Sequence, residues 1–368
     1  MLARKSLGFV SKFILVINMI AVAFLLLSYL APIVKPQIFW PIAFMGIAYP
    51  IFLVINILFV LFWLFRKPPM ALISLIAIAI GWNSINKNFG FNKDNAISQH
   101  TDTAAIRVMS YNIQMFNNSD EKDVDNRKEI LRVIKEVSPD VICIQEFYTR
   151  NRGEKDMKKH FAEELGLKFS FFTPVAKNDY DAYGIAIFSK YPIENSGALD
   201  INLNERIVNR IVYSDIKKAG KSFRVYNVHL QSVGFQQEDY DFIKQDAATG
   251  NMDVKSTKRI GRRLKAAYLK RNSQVDLLYS HIQLAKIPFI VAGDFNDTPL
   301  SYSVNKLSSE MRNAFVEKGK GWGITYNGAF PNFQIDYILA SKQFQILNFN
   351  IVREKFSDHY PIWSDLYL

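Results

Sequence analysis

The chain has one cysteine in 368 residues, Cys143. A single thiol excludes an intrachain disulfide framework and a zinc-thiolate site, and no disulfide-linked partner is expected. Cys143 lies inside the apolar run Val141 to Ile144 and reads as a small core residue. The sequence also lacks internal repeats and low-complexity tracts. No small-residue cleavage site precedes Pro32, so the first apolar run is not read as a cleaved signal peptide. Strong basicity is missing where it would count. The net charge is +11, but residues 1–100 carry eight Lys or Arg against one Asp, a net +7, which leaves +4 for everything after them. So modest an excess weighs against tight non-specific binding to duplex nucleic acid, which rests largely on neutralised phosphates.

Long apolar runs fill the first part of the chain. Phe9 to Leu30 and Ile38 to Phe65 are each about a bilayer's worth of apolar residues. A third run, Met70 to Trp82, is shorter, and a buried or interfacial helix is its alternative reading. Three transmembrane helices are expected, at about 9–30, 38–65 and 69–85, within an anchor covering 1–86, with Trp40, Trp63 and Trp82 as interfacial aromatics. Arg4, Lys5 and Lys12 flank the first run, and Arg66 and Lys67 separate the second from the third, against Lys35 alone between the first and second. The positive-inside rule then places the N-terminus in the cytoplasm, and three crossings carry the rest of the chain outside. An integral protein of a bacterial inner membrane fits this pattern.

The polar stretch 87–103 reads as a linker, and the chain is globular from about 104 to 368. Strands are expected at Ile106 to Ile113, Val141 to Gln145, Phe169 to Phe172, Gly184 to Ser189, Arg210 to Ile216, Phe223 to Leu230, Phe289 to Ala292, Ile335 to Ala340, Phe344 to Val352 and Tyr360 to Leu366. Helical spacing appears at Arg127 to Val137, Lys155 to Leu165, Lys258 to Leu284 and Tyr302 to Leu307. So many strands exceed one sheet's usual size, which suggests two packed sheets with helices outside, an α/β (α+β) architecture. The cluster Lys258, Arg259, Arg262, Arg263, Lys265, Lys270 and Arg271 is read as the solvated face of an amphipathic helix, with phosphate or anionic-lipid contact as its alternative. Ser232 to Lys255 reads as a long polar loop.

The run Pro288 to Pro299, PFIVAGDFNDTP, is an apolar strand ending in Asp294, Asn296 and Asp297. Hard oxygen donors crowded at a strand end suit Mg²⁺ or Mn²⁺, although an Asx-rich turn has the same composition. Other expected strands end in Asn112, Glu146 and His229, and Asp336 and the pair Asp358 and His359 join the set. Singly, Glu146 could be a surface acid, His229 a core histidine and Asp358 a turn residue. Together they form a candidate metal-dependent hydrolytic site.

The ordered set MSYNIQ, DVICIQE, YGIAIFSK, NVHL, VAGDFND, QIDYIL and SDHYPI resembles the endonuclease/exonuclease/phosphatase family, the deoxyribonuclease I-like metal-dependent phosphoesterases. The resemblance covers about 104 to 368. It implies a four-layer α/β/β/α sandwich of two mixed β-sheets, here preceded by transmembrane helices. It also implies that Asn112, Glu146 and Asp358 hold Mg²⁺ or Mn²⁺ and that Asp294 and Asn296 bind the nucleophilic water or phosphoryl oxygens. By the same resemblance His359, held by Asp336, acts as general base or phosphate clamp, and His229 serves the leaving oxygen. Gln114 stands where some members have an acidic residue, which points to one essential ion. His229 is more like the deoxyribonuclease I and sphingomyelinase branches than the abasic-site branch. Arg210 is a candidate phosphate contact. The implied function is hydrolysis of a phosphodiester in nucleic acid or a phospholipid head group. A phosphatase of small molecules and a non-catalytic membrane binding protein on the same fold remain the alternatives.

Overall fold

A computed structural model of the chain describes residues 8–92, 104–117, 125–199, 210–249, 253–328 and 332–368. The chain divides into two compact units, Met1–Lys87 with Thr298–Asn305, and Asn88–Asp297 with Lys306–Leu368.

In the first unit, proline sets where helices begin. Its ring lacks an N–H and fits only the opening turn of a helix. Pro36, Pro41, Pro50 and Pro68 each occupy such a position, in Pro36–Phe39, Pro41–Ile47, Tyr49–Arg66 and Pro68–Ile80. The expected span 38–65 is therefore broken at Trp40 and Ala48, and only Tyr49–Arg66 is a continuous helix. Phe9–Ser28 and Tyr49–Arg66 are long and apolar enough to cross a membrane, and a third crossing exists if Pro68–Ile80 and Trp82–Asn88, bent by 61°, count as one. Trp63 faces the other helices. It is fully buried and donates its Nε1–H to Asn18 Oδ1 at 2.9 Å. Asn18 in turn donates to Ser74 Oγ at 2.6 Å, and Ser74 donates to Asn56 Oδ1 at 3.0 Å. Asn56 donates to the carbonyls of Ala21 and Phe52. This chain of satisfied polar groups pins three helices in one register, since an unpaired amide among apolar side chains costs about 2 kcal/mol or more. Leu300 packs into the same core beside Val22, Leu25, Tyr49, Leu53 and Ala77.

The second unit is built on two mixed sheets. One is ordered Arg312–Asn313, Asp336–Ala340, Phe289–Asp294, Lys221–His229, Ile211–Lys218 and Ile193–Leu199. The other is ordered Gln345–Ile346, Ile362–Tyr367, Ile106–Asn112, Val141–Arg150, Asp181–Ser189 and Phe169–Lys177, with Asn350–Ile351 also pairing Ile362–Tyr367. Their inner faces meet in one core, where Val108, Val141, Cys143, Ile185 and Ile187 pack with Val212, Phe223, Val225, Ile290 and Ile338. Arg127–Val137 lays Ile130, Val133, Ile134 and Val137 on the outer face of the second sheet against Met109, Tyr111, Ile142 and Trp363. The expected layered sandwich is the observed one.

Several elements depart from the sequence reading. Ile193–Leu199, reading IENSGAL, is an edge strand whose half-exposed polar residues conceal its period. Within the expected linker, Asn88 ends the helix Trp82–Asn88 and Phe89–Phe91 pairs antiparallel with Lys320–Trp322; residues 93–103 lie outside the described residues. The long loop Ser232 to Lys255 contains the helix Gln237–Thr249. Its buried Asp239 pairs with Arg259 at 2.7 Å and Arg263 at 3.2 Å on the helix Val254–Gln283, so two of the basic cluster's charges are internal partners and not a solvated face.

Candidate active site

Strand register assembles the site. The parallel pair Lys221–His229 and Phe289–Asp294 sets His229 opposite Asp294, and the antiparallel pair on its other side sets Asp336 opposite the same Asp294. Three candidate residues thus stand in one row across three strands. Gly293 makes the middle strand possible: its φ is +148°, and a Cβ there would lie 2.0 Å from the Val228 carbonyl oxygen. In the other sheet Ile106–Asn112 runs parallel to Val141–Arg150, which brings Asn112 beside Gln145 and Glu146. Beyond Ile144 the pairing with Asp181–Ser189 shifts by one residue, a β-bulge at Gln145 and Glu146 that turns Glu146 to φ +54°. Asn296 is also left-handed, at φ +50°. Such backbone costs about 1 kcal/mol or more per residue and persists where surrounding contacts enforce it.

The two rows meet around one carboxylate oxygen, Asp294 Oδ2. The Nε2 atoms of His229 and His359 each lie 3.7 Å from it. Asn296 Nδ2 donates to it at 3.0 Å and Asn112 Nδ2 at 3.3 Å. Asn112 Nδ2 also reaches Glu146 Oε1 at 3.3 Å, and His229 Nε2 is 4.0 Å from that atom. Asn296 is fixed twice more, its N–H on Asp294 Oδ1 at 2.7 Å and its amide on the Leu230 carbonyl at 3.0 Å. Ser357 ties the last segment in, donating its hydroxyl to the Asn112 carbonyl at 2.7 Å, with Asp358 Oδ1 3.3 Å from that hydroxyl oxygen. His359 Nδ1 meets Asp336 Oδ2 at 2.9 Å, the contact that orients its ring.

Electrostatics divides the two histidines. Burial drives the pKa of His229 down to about 3, helped by the charge on His359, so His229 is neutral. Burial acts on His359 in the same sense, but Asp336, Asp294 and Asp358 outweigh it and hold the imidazole well above its ordinary value. Burial raises Asp294, with Asp336 adding to the rise and the His359 charge opposing it. Burial also raises Glu146, followed by repulsion from Asp358.

All eight expected residues converge. Arg210 lies beside them through its backbone carbonyl, which accepts the His229 N–H at 2.9 Å, and its guanidinium has no hydrogen bond or ion pair with a described residue. Arg271 is the residue that the sequence reading misplaced. It is 2% exposed, pairs with Asp297 at 3.3 Å, and donates to the carbonyls of Gln231, at 3.2 Å, and Asn296. One buried cation thereby braces the two loops that leave His229 and Asp294.

The sequence pattern of the Endonuclease/Exonuclease/phosphatase family matches residues 109–359, a span that contains every one of these groups. The chain belongs to this family. A second pattern, for a domain of unknown function, matches residues 11–88. A search of curated proteins finds no match. Among solved structures, the endonuclease/exonuclease/phosphatase from Beutenbergia cavernae is similar with a TM-score of 0.52 at 19% identity, covering 72% of each chain. A family member from Bacteroides thetaiotaomicron gives 0.51 at 16% identity over 71% of this chain and 97% of its own. One from Bacteroides vulgatus gives 0.50 at 19% identity over 72% and 99%. At these identities the structures show the shared fold. Membership in the endonuclease/exonuclease/phosphatase family makes phosphate-ester hydrolysis the class of chemistry.

The donor set fits a divalent cation. Asp294, Asp336 and His359 offer potential ligand atoms within 4.8 Å of one another, and Asp336 Oδ1 and Gln114 Oε1 are buried without a hydrogen-bond partner. Glu146, raised by burial and then by repulsion from Asp358, forms with Asp358 a second, all-oxygen group beside Asn112. Of the two, the second suits a hard cation better, because Asp336 and the Nδ1 of His359 already satisfy each other. Asn112 presents Nδ2 to the carboxylates and accepts the Gln114 N–H on Oδ1, so its amide must turn to act as an oxygen ligand.

Proposed function

We propose that this chain is a membrane-anchored, Mg²⁺- or Mn²⁺-dependent phosphoesterase that hydrolyses a phosphodiester in nucleic acid or a phospholipid head group by direct attack of water. The observation that carries the reading is the convergence of two imidazoles and two carboxamides on the single carboxylate of Asp294, with Glu146 4.0 Å from His229. Asn112, Glu146 and Asp358 would hold the cation, which when bound supplies positive charge against the charge growing on the phosphoryl oxygens. Asp294 and Asn296 hold and orient the attacking water. Asp294 takes the water's proton; His359, kept protonated by Asp336, clamps a phosphoryl oxygen, and neutral His229 donates a ring N–H hydrogen bond to the leaving oxygen. The helices Phe9–Ser28 and Tyr49–Arg66 support the membrane assignment and the flanking cations support a cytoplasmic N-terminus; the bent pair Pro68–Ile80 and Trp82–Asn88, taken as a third crossing, puts the catalytic unit outside.

The test uses the full chain in detergent micelles with Mg²⁺, on plasmid DNA, sphingomyelin vesicles, phosphoinositide vesicles and bis-p-nitrophenyl phosphate. At least one diester is expected to be cleaved, EDTA to abolish cleavage, and Mg²⁺ or Mn²⁺ to restore it. His229→Ala and Asp294→Asn should each lower turnover about a hundredfold or more while melting cooperatively. Wild-type turnover in either variant sinks the site assignment, and activity that survives exhaustive chelation removes the cation.

A further inference from the structure

Beneath the site, where the two sheets face each other across an apolar core, lie two fully buried carboxamides, Gln145 and Asn227. Neither is needed to fill space, and a buried amide costs about 1–3 kcal/mol unless its hydrogen bonds are made. Asn227 makes three. Its Nδ2 donates to the Ile144 carbonyl at 3.0 Å and to the Ala186 carbonyl at 2.8 Å, both in the opposite sheet, and its Oδ1 accepts from Gln145 Nε2 at 2.6 Å. Gln145 Nε2 also reaches Ser110 Oγ at 3.3 Å.

The positions of these contacts in the strands give them their meaning. Ile144 and Ala186 are register partners and form the last regular pair before the bulge at Gln145 and Glu146. Side chains two residues apart on a strand share a face, so Asn227 stands one step below His229 and Ser110 one step below Asn112, while Gln145 immediately precedes Glu146. The Gln145 carbonyl, for its part, accepts the Ile113 N–H at 3.2 Å, just past Asn112. Asn227, Ser110 and the Gln145 Nε2 are thus tied to strands of site residues in the layer above, and Asn227 spans both sheets, while Gln145 Oε1 is buried without a partner.

We infer that Asn227 and Gln145 are positioning residues, an inter-sheet clasp that fixes the bulge and so sets the Glu146 carboxylate at its distance from His229. The clasp rests on the cation-dependent reading above. Removing it frees the bulge to relax toward regular pairing and swings Glu146 out of the oxygen donor set. Outer-layer partners of metal ligands change affinity by about 10–100-fold when mutated, and the clasp should act at the lower end of that range because it works through the backbone.

The experiment measures Mn²⁺ binding directly, by calorimetry on the full chain in detergent, beside thermal melting and turnover of bis-p-nitrophenyl phosphate. Asn227→Ala and Gln145→Met should each raise the Mn²⁺ dissociation constant about tenfold in protein that still melts cooperatively, and the double variant should be no worse than Asn227→Ala alone. Gln145→Met keeps the chain volume and both carbonyl contacts of Asn227, so it reports even if Asn227→Ala does not fold. A purely structural pair lowers the melting temperature and leaves the Mn²⁺ constant of the folded protein within twofold of wild type, and that result overturns the clasp. Absence of Mn²⁺ binding by the wild-type chain overturns the cation reading itself, a distinct outcome.

Discussion

Replacing Arg271 with leucine tests how far the site depends on a cation that never reaches it. The side chain is 2% exposed and lies on the Tyr268 ring at 4.7 Å, with Asp297, the Gln231 carbonyl and the Asn296 carbonyl around its guanidinium. Leucine leaves the buried Asp297 carboxylate without this partner and two carbonyls without this donor. Breaking one side of a buried ion pair costs about 3–5 kcal/mol. In a domain of this size each kcal/mol lowers the melting temperature by about 2–4 °C, so the expected drop is about 6–20 °C. Circular dichroism melting of the full chain in detergent gives the value directly. Arg271→Leu with Asp297→Leu should be milder than Arg271→Leu alone, because the stranded charge has gone. A single variant that melts within 2 °C of wild type, or a double variant that is worse, would falsify the bracing role.

Two more outcomes follow from the same coordinates. Gly293→Ala places a methyl group 2.0 Å from the Val228 carbonyl and should cost about 3 kcal/mol or more in thermal melting, whereas Gly220→Ala, at φ +81° with nothing within 4 Å, should cost only about 1 kcal/mol; equal losses would contradict the close approach. Burial pushes the Cys143 thiol well up, so the native chain should resist iodoacetamide until it unfolds. The shift is upward on folding, so this thiol's stabilising effect is complete below the unfolded thiol's pKa of about 8.5 and is lost as pH rises from there toward the folded value. Fast alkylation of folded protein at pH 8 would show that the core opens.

Much of the site was legible because an apolar run gives way to Asn112, His229 or Asp294 at a strand end, and to Glu146 at the bulge inside Val141–Arg150, and the eye needs only the alternation to find them. Arg271 was missed by counting it with its basic neighbours. The signal was there: Leu264, Ala267, Tyr268, Val275 and Leu278 mark the apolar stripe of their helix, and Arg271 falls on that stripe. The clasp was hidden for a different reason. Gln145 and Asn227 are 82 positions apart, and only the packing of one sheet on the other brings them together. Ile193–Leu199 and Gln237–Thr249 were lost because an edge strand and a surface helix need little apolar surface, so neither leaves a clear period. The second proposed span shortened to Tyr49–Arg66 because hydropathy counts apolar residues and overlooks the prolines that restart the helix.

The strand order has a consequence for synthesis. Ile362–Tyr367 lies beside Ile106–Asn112 and just past His359, so the middle of the second sheet waits on a segment made some 250 residues later. Until it arrives the strand that bears Asn112 has a bare edge, Asp336 has no imidazole to hold, and Asp294 has only one histidine beside it. A nascent chain that has not yet reached His359 therefore has an incomplete site, and the cluster closes only after the strands that bear Asn112, Glu146, His229 and Asp294 have been made.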